Sequence, residues 1–360
     1  MGACLRDLFL RERLLFASGT ALLVTSIYLG HLPIYSVREI TPIFLLFALF
    51  VVIRGVERSR VPLMLARRME QGGYLAAKLV LLTFALSMAV TIDVTLVTML
   101  PLVLSMRTPR RMDLAILVAL TAHVGAALTP FGTPQNLFIY RWYEVELLEF
   151  LRVMMPFAGG LLLFLLTLSF FVRTEPPKQK GSIKIDFKTA AVYTLLFAVV
   201  AAAVVGLLPT AAAIVAVVYA LLFDRGALRV DYSLLLTFLL FIGLTGNIRE
   251  IVDGALAHRS HTFLLAALMS QFVSNVPTAL MLERFTDHWR ALLWGVNVGG
   301  FGTLVAAMAN LIAYRLFLTY GGRKEAQVFL FRFIAAGYVM FLAGTALHYL
   351  FFDYIHRYGG

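Results

Sequence analysis

The residues His123–Arg141, HVGAALTPFGTPQNLFIYR, and Asn297–Arg315, NVGGFGTLVAAMANLIAYR, carry one pattern twice. The second stretch begins 174 residues after the first, at 297 against 123, and the two align without a gap. Val124, Gly125, Thr129, Asn136, Leu137, Tyr140 and Arg141 match Val298, Gly299, Thr303, Asn310, Leu311, Tyr314 and Arg315. In each copy, glycines and polar residues interrupt an apolar run. Glycine weakens a helix interior and proline removes a donor, so each copy predicts a helix broken near its middle. In hydrocarbon such a break survives only where it is buried in protein or lines a cavity.

The surroundings demand hydrocarbon. Hydrophobic residues make up 61% of the 360-residue chain and charged residues 14%. The mean hydropathy is +0.86. A soluble domain carries about 25% charged residues. Apolar runs fall at 14–34, 41–56, 74–106, 113–140, 150–172, 189–207, 210–223, 233–247, 262–282, 290–319 and 328–352. They are continuous rather than alternating, which predicts helices and not a barrel. The expected fold is an all-α polytopic membrane protein whose solvent is the lipid bilayer. Cys4 is the only cysteine, which excludes an intrachain disulfide or a cysteine metal site. HExxH, DDxxD and a cysteine nucleophile are absent, so the chain does not read as an intramembrane enzyme. The N-terminal stretch lacks a small-residue cleavage site and reads as a retained first helix.

Two apolar spans are awkward. The span 74–106 would be about 50 Å long as one helix, well beyond a bilayer core. Basic residues flank it on both sides, from Arg54 to Lys78 and from Arg107 to Arg111, and its one acid, Asp93, lies near the middle. A re-entrant hairpin with its tip near Thr91–Thr95 returns both flanks to one side. The span 262–282 carries Ser270, Gln271, Ser274, Asn275 and Pro277. These residues break helices or offer the backbone other partners, which predicts a second hairpin. It would open from the opposite side.

With those hairpins the charges sort. Twenty-one of the 31 Lys and Arg fall on the side of the N-terminus and seven on the other. The net charge of +11 is then topology and not nucleic-acid binding. The expected topology has about nine crossings plus two hairpins. The N-terminus is cytoplasmic and the C-terminus outside, in an inner or plasma membrane. The organisation is an N-terminal repeat at 1–172 (hairpin 74–106, broken helix 113–140), a cytoplasmic linker at 173–188, and a C-terminal repeat at 189–360 (hairpin 262–282, broken helix 290–319). Because the two units begin on opposite sides, the repeats are inverted. Inverted repeats with broken helices place a site at mid-membrane.

At these residues the chain resembles the ion transporter superfamily of arsenite permeases, NhaD-type sodium–proton antiporters, citrate–metal symporters and divalent anion–sodium symporters. Thr129-Pro-Phe-Gly-Thr-Pro-Gln-Asn136 resembles that family's TPIGTPPN loop, and Asn297-Val-Gly-Gly-Phe-Gly-Thr303 its NIGGxxT loop. Ser274-Asn275-Val276-Pro277 resembles its second hairpin tip, and Asp93 matches the aspartate of the arsenite-permease tip. The dicarboxylate carriers have Ser-Asn-Thr at both tips. Here Thr91-Ile92-Asp93 and Ser274-Asn275-Val276 stand there, closer to the arsenite and NhaD side. The resemblance implies two moving transport modules on scaffold helices, and a homodimer.

The expected function is secondary transport of a small anion, either a carboxylate such as citrate or a dicarboxylate, or an inorganic oxyanion. Na⁺ or H⁺ is the coupling ion and no cofactor is expected. Arsenite or antimonite efflux and Na⁺/H⁺ exchange are the alternatives. Asp93 is the leading site residue, because an intramembrane acid is costly and functional by default. It can ligate Na⁺ or carry a proton. Asn136, Asn275, Asn297 and Asn310 offer amide oxygens to a cation and NH₂ groups to an anion. Na⁺ is expected among Asp93, Asn136, Asn275 and Asn310. Thr91, Thr133, Ser274, Thr278 and Thr303 offer hydroxyls. Gly132, Gly299 and Gly302 would let the backbone face a ligand. His123 could relay a proton with Asp93. Trp142, Trp289 and Trp294 are expected in the interfacial belt.

Overall fold

A computed structural model describes residues 13–68, 74–106, 108, 110–172, 186–252 and 261–351. Among them the regular elements are helices: α1 (Arg13–Leu29), α2 (Val37–Arg58), α3 (Val61–Arg68), α4 (Leu75–Ala89), α5 (Ile92–Ser105), α6 (Arg111–Ala127), α7 (Pro134–Trp142), α8 (Leu147–Phe170), α9 (Phe187–Val204), α10 (Ile214–Phe223, entered through a 3₁₀ turn at Thr210–Ala213), α11 (Tyr232–Val252), α12 (Thr262–Val273), α13 (Asn275–Leu282), α14 (Trp289–Gly299) and α15 (Met308–Leu350). Five of these, α2, α8, α9, α11 and α15, are long and apolar enough to cross a bilayer, and several shorter helices are apolar too. Cys4 and 173–185 of the expected linker lie outside the described residues.

Some boundaries differ from the sequence reading. α9 starts at Phe187, because the Asp186 carboxylate caps it, accepting from Thr189 N–H at 3.1 Å. The basic flank after α2 contains the short helix α3, which apolar runs do not reveal. No loop separates 290–319 from 328–352. Helical structure runs through to Leu350, with Gly322 alone non-helical at φ 73°, ψ 174°. Trp294 is fully buried and its indole N–H donates to Val153 O at 3.0 Å, so it is a core residue and not part of a belt.

The two hairpin spans and the two broken-helix spans are all interrupted. The first hairpin span breaks at Val90–Thr91. Thr95, expected at the tip, lies inside α5, and its N–H and Oγ1 both donate to Thr91 O, at 3.1 and 2.8 Å. Both arms, α4 and α5, pack on α6. The second span breaks at Ser274, a non-glycine residue held at φ 81°, a conformation L-residues seldom adopt. The helix of 113–140 breaks between Ala127 and Pro134, and that of 290–319 between Gly299 and Met308.

The breaks share their hydrogen bonds. Asn136 Nδ2 donates to Ala127 O and Thr129 O at 3.0 and 3.1 Å and approaches Ala126 O at 3.5 Å. Asn310 Nδ2 donates to Gly300 O and Thr303 O at 3.0 and 2.8 Å. Residues 126 and 129 become 300 and 303 under the 174-residue offset. Each asparagine therefore ties the end of one half-helix to the start of the next, satisfying carbonyls that have no intrahelical partner. The hairpins follow a second offset of 183. Thr129 Oγ1 donates to Met88 O at 3.2 Å, and Thr303 Oγ1 to Gln271 O at 3.0 Å. Ile92 N–H donates to Gly132 O at 3.3 Å, and Asn275 N–H to Ala306 O at 2.9 Å. A Cβ at Gly125 would lie 2.2 Å from Ser87 Oγ, and one at Gly299 would lie 2.6 Å from Ser270 Cβ. Glycine at each position lets the hairpin and the broken helix touch.

Ion pairs join the helix ends in two groups. One joins Arg58 to Asp224 at 3.3 Å, Arg111 to Glu325 at 2.5 Å and Arg332 to Asp113 at 3.3 Å. The other joins His31 to Glu250 at 3.2 Å, Arg38 to Glu144 at 3.7 Å, and, closely, Arg284 to Glu39 and Arg290 to Glu149. The open end of the first hairpin lies in the first group, and that of the second hairpin lies in the other.

Candidate functional site

Four helices begin at one place. Ile92 and Asp93 open α5, Pro134 and Gln135 open α7, Asn275 and Val276 open α13, and Met308 and Ala309 open α15. All eight residues line one cavity of about 60 Å³, together with His123, Thr133, Ser274 and the apolar side chains of Leu234 and Phe238. Each break in the chain therefore turns a helix N-terminus inward. The first-turn N–H groups of a helix lack intrahelical partners, and the N-terminus carries about half a positive charge. A cavity ringed by four of them has a positive backbone potential, although Ile92 N–H and Asn275 N–H are already bonded to Gly132 O and Ala306 O.

Thr133, the N-cap of α7, is buried and its Oγ1 has no hydrogen-bond partner among the described residues, although it lines the cavity. A buried hydroxyl left unpaired costs roughly 1–3 kcal/mol unless a ligand or water meets it. The Asn275 amide is 4% exposed and also makes no side-chain hydrogen bond among the described residues. Asp93 is half-buried, without an ion pair or hydrogen bond among the described residues. It also lines a second cavity of about 200 Å³, with Arg54, Glu57, Arg229 and Asp231. That vestibule leads from the site toward the Arg58–Asp224 end of the bundle.

The other expected residues stand one layer back. Asn136 and Asn310 spend their NH₂ groups on the breaks and accept at Oδ1 from the other broken helix. Asn297 Nδ2 donates to Asn136 Oδ1 at 2.8 Å and to Leu293 O at 2.8 Å. His123 Nε2 lies 2.8 Å from Asn310 Oδ1. Because two carbonyls fix the orientation of the Asn310 amide, its oxygen faces the ring, and Nε2 is assigned the proton. Each of the two Oδ1 atoms therefore already accepts one hydrogen bond from the other broken helix. Thr278 Oγ1 donates to Ser274 O at 2.8 Å, while Thr303 is held by Gln271 through both N–H and Oγ1. Gly132 O takes the Ile92 N–H and Gly299 O takes Gln271 Nε2 at 2.7 Å, so both carbonyls already serve the breaks. Gly302, at φ 106°, packs against Gly337. Thr91 forms the N-cap of α5 and lines the vestibule.

Sequence reasoning missed Gln135, which is 3% exposed, lines the cavity and has no side-chain hydrogen bond among the described residues. Its place beside Thr133 in the first loop was the available signal. Gln271, read in the sequence only as one of the residues interrupting 262–282, laces the second break from Gly299 to Thr303 with its side chain.

A family model described as "Citrate transporter" matches residues 8–286. An uncharacterized transporter from Methanocaldococcus jannaschii is 30% identical over 341 residues, covering 91% of this chain and 94% of that protein. The inner membrane protein YbiR of Escherichia coli is 32% identical over 304 residues, covering 76% of this chain and 79% of that protein.

Proposed function

The chain belongs to the citrate transporter family, and from that premise we propose that this multi-pass membrane protein is a secondary transporter moving a small anion by alternating access. The observation that carries the reading is the cavity where four helix N-termini meet beside an unpaired carboxylate. The N-termini attract an anion, and the carboxylate supplies the coupling site. A cation or proton on Asp93 would offset its charge whenever the anion is present. Uptake of one then favours uptake of the other, which is the thermodynamic content of coupling.

The site opens through Asp93 to the vestibule of Arg54 and Arg229, the end that the charge count assigns to the cytoplasm. We read this as an inward-facing state of a fold with two inverted repeats, nine crossings and two re-entrant hairpins. The hydrogen bonds recurring at offsets of 174 and 183 support the repeats, and the opposite ends of the two hairpins support the inversion. Scaffold helices, a homodimer, the N-terminus in the cytoplasm and the C-terminus outside belong to the same reading. The E. coli relative's printed name fits an inner-membrane location.

The test is uptake into proteoliposomes under imposed H⁺ and Na⁺ gradients. Wild type should accumulate anion against its gradient with one of them. Asp93→Asn should retain its fold and lose the coupling. Full gradient-driven accumulation by Asp93→Asn would remove Asp93 from the mechanism. Conductance independent of any gradient would replace a carrier with a channel. Two-way exchange of Na⁺ for H⁺ without any anion would favour the antiporter reading.

A further inference from the structure

We propose that the transported anion carries a hydrogen-bond donor of its own, as a hydroxycarboxylate or a protonated oxyanion does, and that Gln135, Asn275 and His123 read that hydroxyl. This rests on the reading of the cavity as an anion carrier's site and names the class of anion that the site prefers.

Three acceptors border the cavity without a protein donor. The Gln135 and Asn275 side chains are buried, line the cavity and make no hydrogen bond among the described residues. An amide presents one oxygen that accepts and one NH₂ that donates, whichever way it is turned. His123 adds the third acceptor. Its Nε2 carries the proton and meets Asn310 Oδ1 at 2.8 Å, which leaves Nδ1 with a lone pair and no partner among the described residues. A Cβ built on Gly300 would lie 3.1 Å from Asn275 Nδ2 and 3.6 Å from His123 Nδ1, so the two side chains border the same spot.

No fixed donor of the chain answers them. Among the described residues, no Lys or Arg lines the cavity. Thr237 donates its hydroxyl to Ser233 O at 2.7 Å. The hydroxyls of Thr133 and Ser274 remain, and these suit an anion's oxygens. The helix ends draw the anion in, and the two NH₂ groups meet its oxygens. An anion with acceptor oxygens alone then faces the amide oxygens and Nδ1 with nothing to give them. Hard cations take oxygen ligands, so the imidazole nitrogen favours a hydroxyl over a cation as the partner of this group.

Displacing an ordered water with a group that cannot remake its hydrogen bonds loses affinity. An anion with a hydroxyl remakes one, and a bare anion does not. Sites built to bond a substrate hydroxyl reject the analogue that lacks it by about 10⁴–10⁵. Asp93 lines both this cavity and the vestibule. Water reaching the site that way replaces part of what is lost, and the discrimination expected here is about ten-fold.

The experiment is equilibrium binding to the full chain in nanodiscs at neutral pH, with probes in matched pairs: malate with succinate, citrate with tricarballylate, and phosphate with sulfate. The first member of each pair carries a hydroxyl that the second lacks. In at least one pair the hydroxyl-bearing member should bind about ten-fold or more tightly than its mate. The pair that discriminates tells a hydroxycarboxylate from a protonated oxyanion. Gln135→Met should cut that preference to about three-fold or less. If probes bind and no pair reaches the expected ratio, the donor requirement is overturned while an anion carrier stands. If none of the probes binds, the inference fails. If proteoliposomes then show only cation exchange, the underlying reading fails too. A folded Gln135→Met that keeps the full preference would overturn the assignment of the hydroxyl to these side chains.

Discussion

His123 Nε2 lies 2.8 Å from Asn310 Oδ1, and this contact is reproduced one repeat away by Asn297 and Asn136, also at 2.8 Å. Residue 123 corresponds to 297 and residue 136 to 310, so each broken helix reaches across to the asparagine that staples the other. The arrangement is self-complementary, as at a two-fold interface. Histidine stands at one of two equivalent positions where asparagine occupies the other.

That equivalence makes a prediction. Asn297 shows that an asparagine can span this distance, so His123→Asn should keep the lock and melt close to wild type. Asn310→Ala should melt much lower. It strips partners from Gly300 O, Thr303 O and the His123 ring, at about 1–3 kcal/mol for each buried group left unpaired. Thermal unfolding in detergent checks the pair. Equal damage from both variants would show that the ring itself is required.

Gly125 and Gly299 are contact points between a hairpin arm and a broken helix. A Cβ at Gly125 would also lie 2.5 Å from Phe84 O, a backbone atom that cannot swing aside. Gly125→Ala and Gly299→Ala should each destabilise by about 1–3 kcal/mol, the usual cost of overpacking. Gly159→Ala, with nothing within 4 Å of its added carbon, should be neutral. Melting temperatures of the three variants test the ranking.

Arg111 and Glu325 approach to 2.5 Å across 214 residues of sequence. A cysteine at Thr108 should therefore label from the same side of the membrane as one at 325. In the proposed topology that side is the cytoplasm. Labelling of 108 from outside would mean that 74–106 crosses once.

His31 lies beyond the end of α1. Its hydrogen bonds to the Leu32 carbonyl and to Glu250, 3.2 Å away, raise its pKa above the ordinary 6.5. A raised value means that the charged form is favoured in the folded chain. The contribution is therefore complete below the ordinary pKa and lost as pH rises through the raised one. Glu250→Gln should bring the His31 titration, followed by NMR, back toward the ordinary value. An unchanged titration would leave the carbonyl as the whole cause.

Much of this was legible in the chain because some residue types answer to backbone needs. Gly125 and Gly299 must admit a neighbouring hairpin, and Asn136 and Asn310 must satisfy carbonyls at a break, so both pairs survive as identities. The hairpin frame was hidden. Between 84–98 and 267–281 only Ser87, Val90 and Thr95 match Ser270, Val273 and Thr278. Their shared features are main-chain bonds, which most side chains permit. In this frame Asp93 corresponds to Val276, the register in which the two tip triplets Thr91–Asp93 and Ser274–Val276 already stand in the sequence.

Sequence by itself determined the helical membrane fold, the approximate positions of the four breaks and the presence of one acid among them. Hydrophobic runs, prolines and an intramembrane charge are one-dimensional signals with large energies behind them. Only the tertiary structure decided which polar groups face the cavity. Asn136, Asn297 and Asn310 are chemically fit to bind an ion, yet nearby carbonyls and amides claim them first. Thr133, Gln135, Asn275 and Asp93 remain, because no protein partner reaches them where the four helix ends meet.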